Sequence, residues 1–337
     1  MGTVVMITGS YPPEVCGVGT YTSCVMTTAT GSRWKLYRRT DWRLSQIRRI
    51  IAEVDSLGGD RLFLQYPTQG YGWSLTPHLL CAYYSILRKA RFTVVLHEFS
   101  GLSKKARFAA TLMIRTAYEV IFTNSFEQKQ AARIDKSIIQ RSRVVKIASN
   151  IPVAAMVPPL SERKYDLGYF GHIRPRKGLE AFLSAITQIR KQTSGVACVL
   201  IGQVPAGFKS FAESIVAQCE ALGVEVKLGL SDSDAAETLA NVKAVYLPFP
   251  DGVSERRGTA MAALANGAMV LTTTGEFTTP ALRAAVVDIP SLDAATRILE
   301  ALQTPHEELA LKQAAAQHFL HVEIPSNWET VASAYLE

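Results

Sequence analysis

The chain has 337 residues, of which 48% are hydrophobic and 19% charged, enough for two α/β domains that each bury a core. No apolar run reaches the roughly 18 residues that span a bilayer. The start, MGTVVMITGSYPP, has no basic n-region or long apolar h-region, so neither a membrane-spanning nor a secreted protein is expected. The net charge of +7 conceals an asymmetry: residues 1–160 hold 21 Lys and Arg against 9 Asp and Glu, while residues 161–337 hold 15 against 20. A basic first half attracts phosphates or an anionic membrane surface through its summed field.

In chain order, Thr3–Thr8 reads as a strand. It leads into Thr8-Gly9-Ser10-Tyr11-Pro12-Pro13 and then Gly17-Val18-Gly19-Thr20-Tyr21. Glycines at a strand-to-helix turn let backbone approach a phosphate or sugar, and the helix N-terminus offers N–H groups and a positive dipole end. A simple tight turn accounts for these residues equally well. Thr20, Tyr21 and Thr22 follow Gly19, so the dinucleotide fingerprint is absent, which weakens an oxidoreductase reading. Further strands are expected at Arg61–Tyr66, Phe92–His97 and Val120–Asn124, with amphipathic segments Trp42–Ala52 and Lys104–Tyr118 between them. That alternation predicts a parallel, doubly wound sheet. His97-Glu98-Phe99-Ser100 closes the strand FTVVL; a polar residue there faces the ligand crevice of such a sheet, against the plainer reading of a structural histidine.

The Pro-containing stretch Ile151–Glu162 is the expected linker, after which the rhythm restarts. Strands are expected at Tyr165–Phe170, Ala197–Ile201, Gly223–Leu228, Ala244–Pro248 and Ala268–Thr273, and a helix at Lys177–Arg190. Two doubly wound units in tandem follow, with a cleft between them as the default site. In Gly171-His172-Ile173-Arg174-Pro175-Arg176-Lys177-Gly178, three cations stand within four residues at a helix start. Cations oppose the dipole there, so a bound anion explains them better than a solvated loop does. Pro250-Asp251-Gly252-Val253-Ser254-Glu255-Arg256-Arg257-Gly258-Thr259 lies between the strand AVYLPF and the helical AMAALANG. A carboxylate there can accept sugar hydroxyls while N–H groups hold a diphosphate. Ser326–Leu336 reads as a terminal helix. The five cysteines, Cys16, Cys24, Cys81, Cys198 and Cys219, are odd in number and lack CxxC spacing, as expected of reduced thiols in a cytosolic protein.

Over essentially its whole length the chain resembles the retaining GT-B glycosyltransferases of family 4. SYPPEVCGVGTY is similar to that family's opening glycine loop, VVLHEFS to its strand-end histidine, and IASNIPV to the segment before its linker. GHIRPRKGLEAFLSAI is the most specific likeness. VSERRGTAMAALANGAMVLTT resembles the turn, helix and strand that hold the donor, and SNWETVASAYLE the last helix, which crosses back onto the first domain. One departure stands out. The family has two glutamates separated by seven residues; with Glu255 as the first, the second position is Ala263, and with Ser254 as the first it is Ala262.

The resemblance implies an N-terminal acceptor-side domain at 1–155, a nucleotide-sugar domain at 156–322, and a terminal helix at 323–337. It implies a metal-independent transferase, with a UDP- or GDP-linked sugar as substrate and no cofactor, acting in polysaccharide or glycoconjugate synthesis. No Asp-x-Asp pair sits at an expected strand end to hold a metal. His97, Arg174, Lys177 and Glu255 would be catalytic; Gly17, Gly19, Arg176, Ser254, Arg256, Arg257, Gly258 and Thr259 would bind the donor. The acceptor would be a saccharide, a lipid-linked saccharide or a small molecule, with no nucleic-acid partner. The protein would be cytoplasmic, with a peripheral place on the inner membrane face suggested by the basic half and by Leu102–Tyr118, which interleaves cations with Phe108, Leu112, Met113 and Ile114. Alternatives are an epimerase or phosphorylase on the same fold, or a non-catalytic sugar-nucleotide-binding protein.

Overall fold

The structure, a computed structural model, describes residues 2–14 and 16–337; Val15 of the opening glycine loop lies outside the described residues, as does Met1. It divides into two compact units, Met1–Ala148 with Pro325–Glu337, and Ser149–Ile324. The first runs β1 (Thr3–Thr8), α1 (Gly17–Thr28), β2 (Arg33–Arg38), α2 (Ile47–Ser56), β3 (Arg61–Tyr66), α3 (Thr76–Ala82), β4 (Arg91–Leu96), α4 (Lys104–Thr116), β5 (Glu119–Phe122), α5 (Ser125–Ala132) and β6 (Ser142–Val144). The second runs β7 (Tyr165–His172), α6 (Leu179–Gln192), β8 (Cys198–Gln203), α7 (Lys209–Ala221), β9 (Val224–Leu228), α8 (Asp232–Ala240), β10 (Val242–Leu247), α9 (Gly258–Ala265), β11 (Met269–Thr272), α10 (Pro280–Ala285), β12 (Val287–Asp288), α11 (Ala294–Leu302) and α12 (His306–Glu323). The chain then returns to the first unit as α13 (Trp328–Ala334).

Both sheets are parallel, in the orders β2-β1-β3-β4-β5-β6 and β12-β11-β10-β7-β8-β9. Parallel strands are covered on both faces, which is why their interiors read as unbroken apolar runs. Val4, Val5, Met6 and Ile7 of β1 are all buried, as are Val199, Leu200 and Ile201 of β8. β2, with the sequence RWKLYR, lies at an edge, where polar residues are tolerated and blunt further pairing.

Each strand order reverses once, between β1 and β3 in the first unit and between β10 and β7 in the second. Doubly wound sheets bind ligands at the carboxyl ends of the strands flanking such a reversal. Glycine brings the flanking loops together at both places. A Cβ on Gly70 would stand 1.7 Å from the Gly9 carbonyl oxygen, and one on Gly178 would stand 2.6 Å from that of Pro248.

Of the boundaries that differ from expectation, two bear on the site. β4 ends at Leu96, so His97 is the first residue beyond it. α6 starts at Leu179 rather than Lys177, because Arg176 (φ 61°) and Gly178 (φ 83°) are left-handed and hold the cations in a turn ahead of the helix.

α13 packs on α1. Val331, Ala332 and Tyr335 are buried with Met6, Tyr21, Val25 and Phe63. Asn327 caps its start, accepting from the Thr330 N–H at 2.8 Å. At its other end Arg61 donates to the Leu336 carbonyl at 2.9 Å, and Arg143, paired with Glu119 at 2.6 Å, donates to the Ala334 carbonyl. Cations at a helix C-terminus satisfy its last carbonyls and its dipole. Arg143→Ala is therefore expected to cost about 2 kcal/mol, a fall of ~4–8 °C in Tm for a unit of this size. Calorimetry, with limited proteolysis ahead of Trp328 as a second readout, checks this.

Candidate functional site

In the second unit the reversal brings together the turn after β7 and the loop after β10. Arg174, Arg176 and Lys177 lie in that turn, and Tyr169 of β7 fixes it by donating its hydroxyl hydrogen to the Lys177 carbonyl at 2.8 Å. The cations crowd the turn: burial, Lys177 and Arg174 together hold the His172 pKa below its ordinary value. α6 begins at an N-cap glycine, Gly178, which makes no side-chain cap hydrogen bond.

The loop after β10 is braced from β11. Val253 N–H donates to the Thr273 carbonyl at 2.9 Å and Thr278 Oγ1 to the Val253 carbonyl at 2.7 Å. Left-handed Gly252 packs so tightly on Gly275 that a Cβ would stand 2.5 Å from its nitrogen. This bracing sets Ser254 and Glu255 in buried positions just ahead of α9, whose first residues are Gly258 and Thr259 and which also lacks a side-chain cap. Among the described residues the Ser254 hydroxyl has no hydrogen-bond partner. Arg257 pairs with Asp251 and lies over the Phe249 ring at 4.8 Å; Arg256 lies over Phe277 at 5.4 Å. Ala262 and Ala263 are fully buried in the core. An Asp-x-Asp pair, Asp232 and Asp234, begins α8, where Ser231 donates to Asp234 at 2.6 Å within the helix cap.

In the first unit the reversal lies between the loops after β1 and β3. Gly19 is buried, and a Cβ there would stand 3.0 Å from the Ser10 carbonyl, so it sets the approach of α1 to the loop. Gly17 is exposed and open, and opens α1, which again has no side-chain cap. His97 directly follows the neighbouring strand β4. Its Nε2 lies 2.7 Å from Gln65 Oε1, and its ring meets Tyr21 edge-on with centroids 4.6 Å apart. Burial lowers its pKa to about 3, so the ring is neutral.

Tyr21, beside His97, belongs to the glycine-loop motif, but its place against His97 was not legible in sequence, and Gln65 carries no motif. Gln65 lies inside a strand, and Tyr335 lies some 270 positions away. One supporting residue did have a readable signal. Asn124-Ser125-Phe126-Glu127 has capping-box spacing, and Asn124 accepts from the Glu127 N–H at 2.9 Å. The Glu127 carboxylate accepts from the N–H groups of Phe99 and Ser100 at 2.9 and 2.8 Å, and from the Ser100 hydroxyl at 2.8 Å, which fixes the loop after His97.

The chain is similar along its whole length to several solved structures. HepE of Anabaena, crystallised with UDP and glucose, matches with a TM-score of 0.70 at 14% identity, over 100% of this chain and 98% of that one. A Rickettsia africae glycosyltransferase matches with 0.67 at 11%, over 99% and 97%. The N-terminal domain of a Candida albicans trehalose-6-phosphate phosphatase matches with 0.69 at 11%, over 100% and 96%. No protein-family model matches the chain, and no curated protein matches it by sequence. At these identities the likeness defines the fold. The fold is of the GT-B type, with two parallel six-stranded α/β units and a C-terminal helix against α1 of the first.

The buried His97 has a consequence for acid stability. An unfolded histidine titrates near 6.5, and the folded one is held at about 3. The unfolded chain therefore binds the proton first, and stability is lost as pH falls from about 6.5 towards 3. Between pH 6.5 and 4.5 the wild type should lose roughly 2 kcal/mol more than His97→Asn does, measured by urea unfolding at each pH.

Proposed function

We propose that this protein is a retaining glycosyltransferase of the family 4 type, moving a sugar from a nucleotide-sugar donor to a saccharide, lipid-linked or small-molecule acceptor. The observation that carries the reading is the meeting of two loops at the β7–β10 reversal. One brings Arg174, Arg176 and Lys177 to an uncapped helix start, and the other brings Ser254, Glu255, Gly258 and Thr259 to a second. The solved structure of HepE with UDP and glucose, on the same fold, supports the ligand class.

The chemistry follows from charge. Cleavage of the sugar–phosphate bond leaves negative charge on the phosphate oxygens. Arg174, Lys177 and the N–H groups at the starts of α6 and α9 would stabilise that charge as it develops, in fixed positions that need no reorganisation. With cations in that role the reaction needs no metal. Glu255 would accept hydroxyls of the transferred sugar, and His97 would contact the sugar or acceptor. Gly17 and Gly19 would admit donor or sugar to the start of α1. Arg257, paired with Asp251, would act by holding the loop, and Arg256 by lining it over Phe277. Ribose contacts would come from groups other than a second glutamate. Lys177→Ala is expected to lower kcat a hundredfold or more, on the order of 3 kcal/mol. Turnover across a panel of UDP- and GDP-sugars tests both statements: no turnover with any of them defeats the reading, and near-native turnover by a folded variant defeats the role of Lys177.

We further propose that the first unit rests on anionic membrane. No helix among the described residues is long and apolar enough to cross one. α4 turns Met113 and Ile114 into the core but leaves Phe108 82% and Leu112 37% exposed, flanked by exposed Lys104, Lys105 and Arg115. α3 packs beside it, and Ile86 and Leu87, exposed 55% and 73%, follow with Arg88 and Lys89. Arg107 of α4 is turned inward onto the Ser100 carbonyl and braces the loop after β4. Exposed apolar residues ringed by cations suit an acidic leaflet, where each cation contributes roughly 1 kcal/mol. Co-sedimentation with vesicles should require acidic lipid, fall at high salt, and weaken when Lys104 and Lys105 become Ser or Phe108 becomes Asp. Wild-type protein left in the supernatant at low salt would point to a soluble acceptor.

A further inference from the structure

His97 is one corner of a closed circuit of four side chains in the first unit. Gln65 of β3 is fully buried, with Oε1 2.7 Å from His97 Nε2. Its amide nitrogen lies 2.8 Å from Met6 Sδ and 3.4 Å from Tyr335 Oη. Tyr335 Oη lies 2.8 Å from Tyr21 Oη, and the Tyr21 ring closes the circuit by meeting the His97 ring edge-on. Tyr21, Gln65 and Tyr335 are 3%, 0% and 0% exposed, while His97 keeps 8%. The circuit therefore reaches the surface at the imidazole.

A buried amide must be satisfied, and its neighbours here admit one orientation. A thioether accepts hydrogen bonds and does not donate them, so the face of Gln65 turned to Met6 is its NH2. Oε1 then faces His97, and an amide oxygen only accepts. Nε2 of His97 must carry the hydrogen, and in a neutral ring Nδ1 is left bare. Among the described residues Nδ1 has no hydrogen-bond partner.

We propose that Gln65 is a positioning residue that holds His97 in the Nε2–H tautomer, so that Nδ1 is presented as an acceptor to a substrate hydroxyl. Tyr335 holds Gln65 in turn, which brings the terminal helix into the definition of the site. The presentation to substrate rests on the transferase reading above; the tautomer is a property of the protein alone.

The test is a long-range 1H–15N correlation spectrum of histidine-labelled protein, with His97 assigned by its loss in His97→Asn. At neutral pH His97 should show a protonated Nε2 and a bare Nδ1. A protonated Nδ1, or a mixture, overturns the proposal. Gln65→Leu should yield a tautomer mixture and lower kcat about tenfold with little change in donor KM; a folded Gln65→Leu with the wild-type tautomer overturns it. Gln65→Glu keeps the shape and the acceptor, and covers the case in which the leucine variant fails to fold. It should keep the Nε2–H form, retain most of the turnover, and shift the His97 titration upward, because an adjacent carboxylate favours the imidazolium. A His97 that titrates in Gln65→Glu as in the wild type counts against the contact. If wild-type protein turns over no nucleotide sugar while the spectra come out as expected, the transferase reading fails and the hold of Gln65 on His97 is upheld.

Discussion

Backbone meets backbone where each sheet reverses its strand order, and the rest of the site depends on that contact. Gly70 against Gly9 in the first unit, and Gly178 against Pro248 in the second, leave no room for a side chain. A residue with a Cβ at either place would push the flanking loops apart. At the second reversal that would separate the cationic turn from the loop carrying Glu255. Gly178 does double duty: its left-handed backbone also ends the turn and lets α6 begin one residue later with its N–H groups uncapped.

The charges near this reversal fall into two groups. Arg257 is committed, paired with Asp251 and lying against Phe249. Such a pairing maintains loop shape, while the Arg257 Nε has no hydrogen-bond partner among the described residues. The cations of the turn after β7 are crowded, and burial together with Lys177 and Arg174 lowers the proton affinity of His172. Like charges brought together repel, and an anion bound beside them would offset that repulsion. Binding and leaving-group stabilisation would then draw on the same electrostatic source.

Much of the fold was legible in sequence because parallel strands covered on both faces must be apolar throughout. β1 and β3 stand where their residue patterns place them, and the other apolar strands lie within a few residues of the expected positions. β2 was illegible for the opposite reason: an edge strand needs one covered face, and Arg33, Lys35 and Arg38 read as a surface patch. Half of the apolar stripe on α4 also misled, since Met113 and Ile114 serve the core. The basic turn and the Glu255 loop were visible as motifs because their residues are contiguous. The surroundings of His97 were not, because Tyr21, Gln65 and Tyr335 come from three distant segments and each alone is an ordinary core residue. Ala262 and Ala263 were visible as a departure, and their complete burial gives it a physical meaning.

The return of α13 makes the first unit discontinuous, with residues 149–324 standing between its two parts. During synthesis the second unit is a contiguous stretch and can fold as it emerges, whereas the first must wait for residues beyond 324. Until then Met6, Tyr21 and Phe63 have no Tyr335 to cover them, and Gln65 lacks one of its partners. The nascent first unit is thus an incomplete core exposing an apolar groove, open to chaperones or to the terminal segment of another copy. One cut at Ala148 would not release it as a finished domain; a covalent or added terminal segment would have to be supplied.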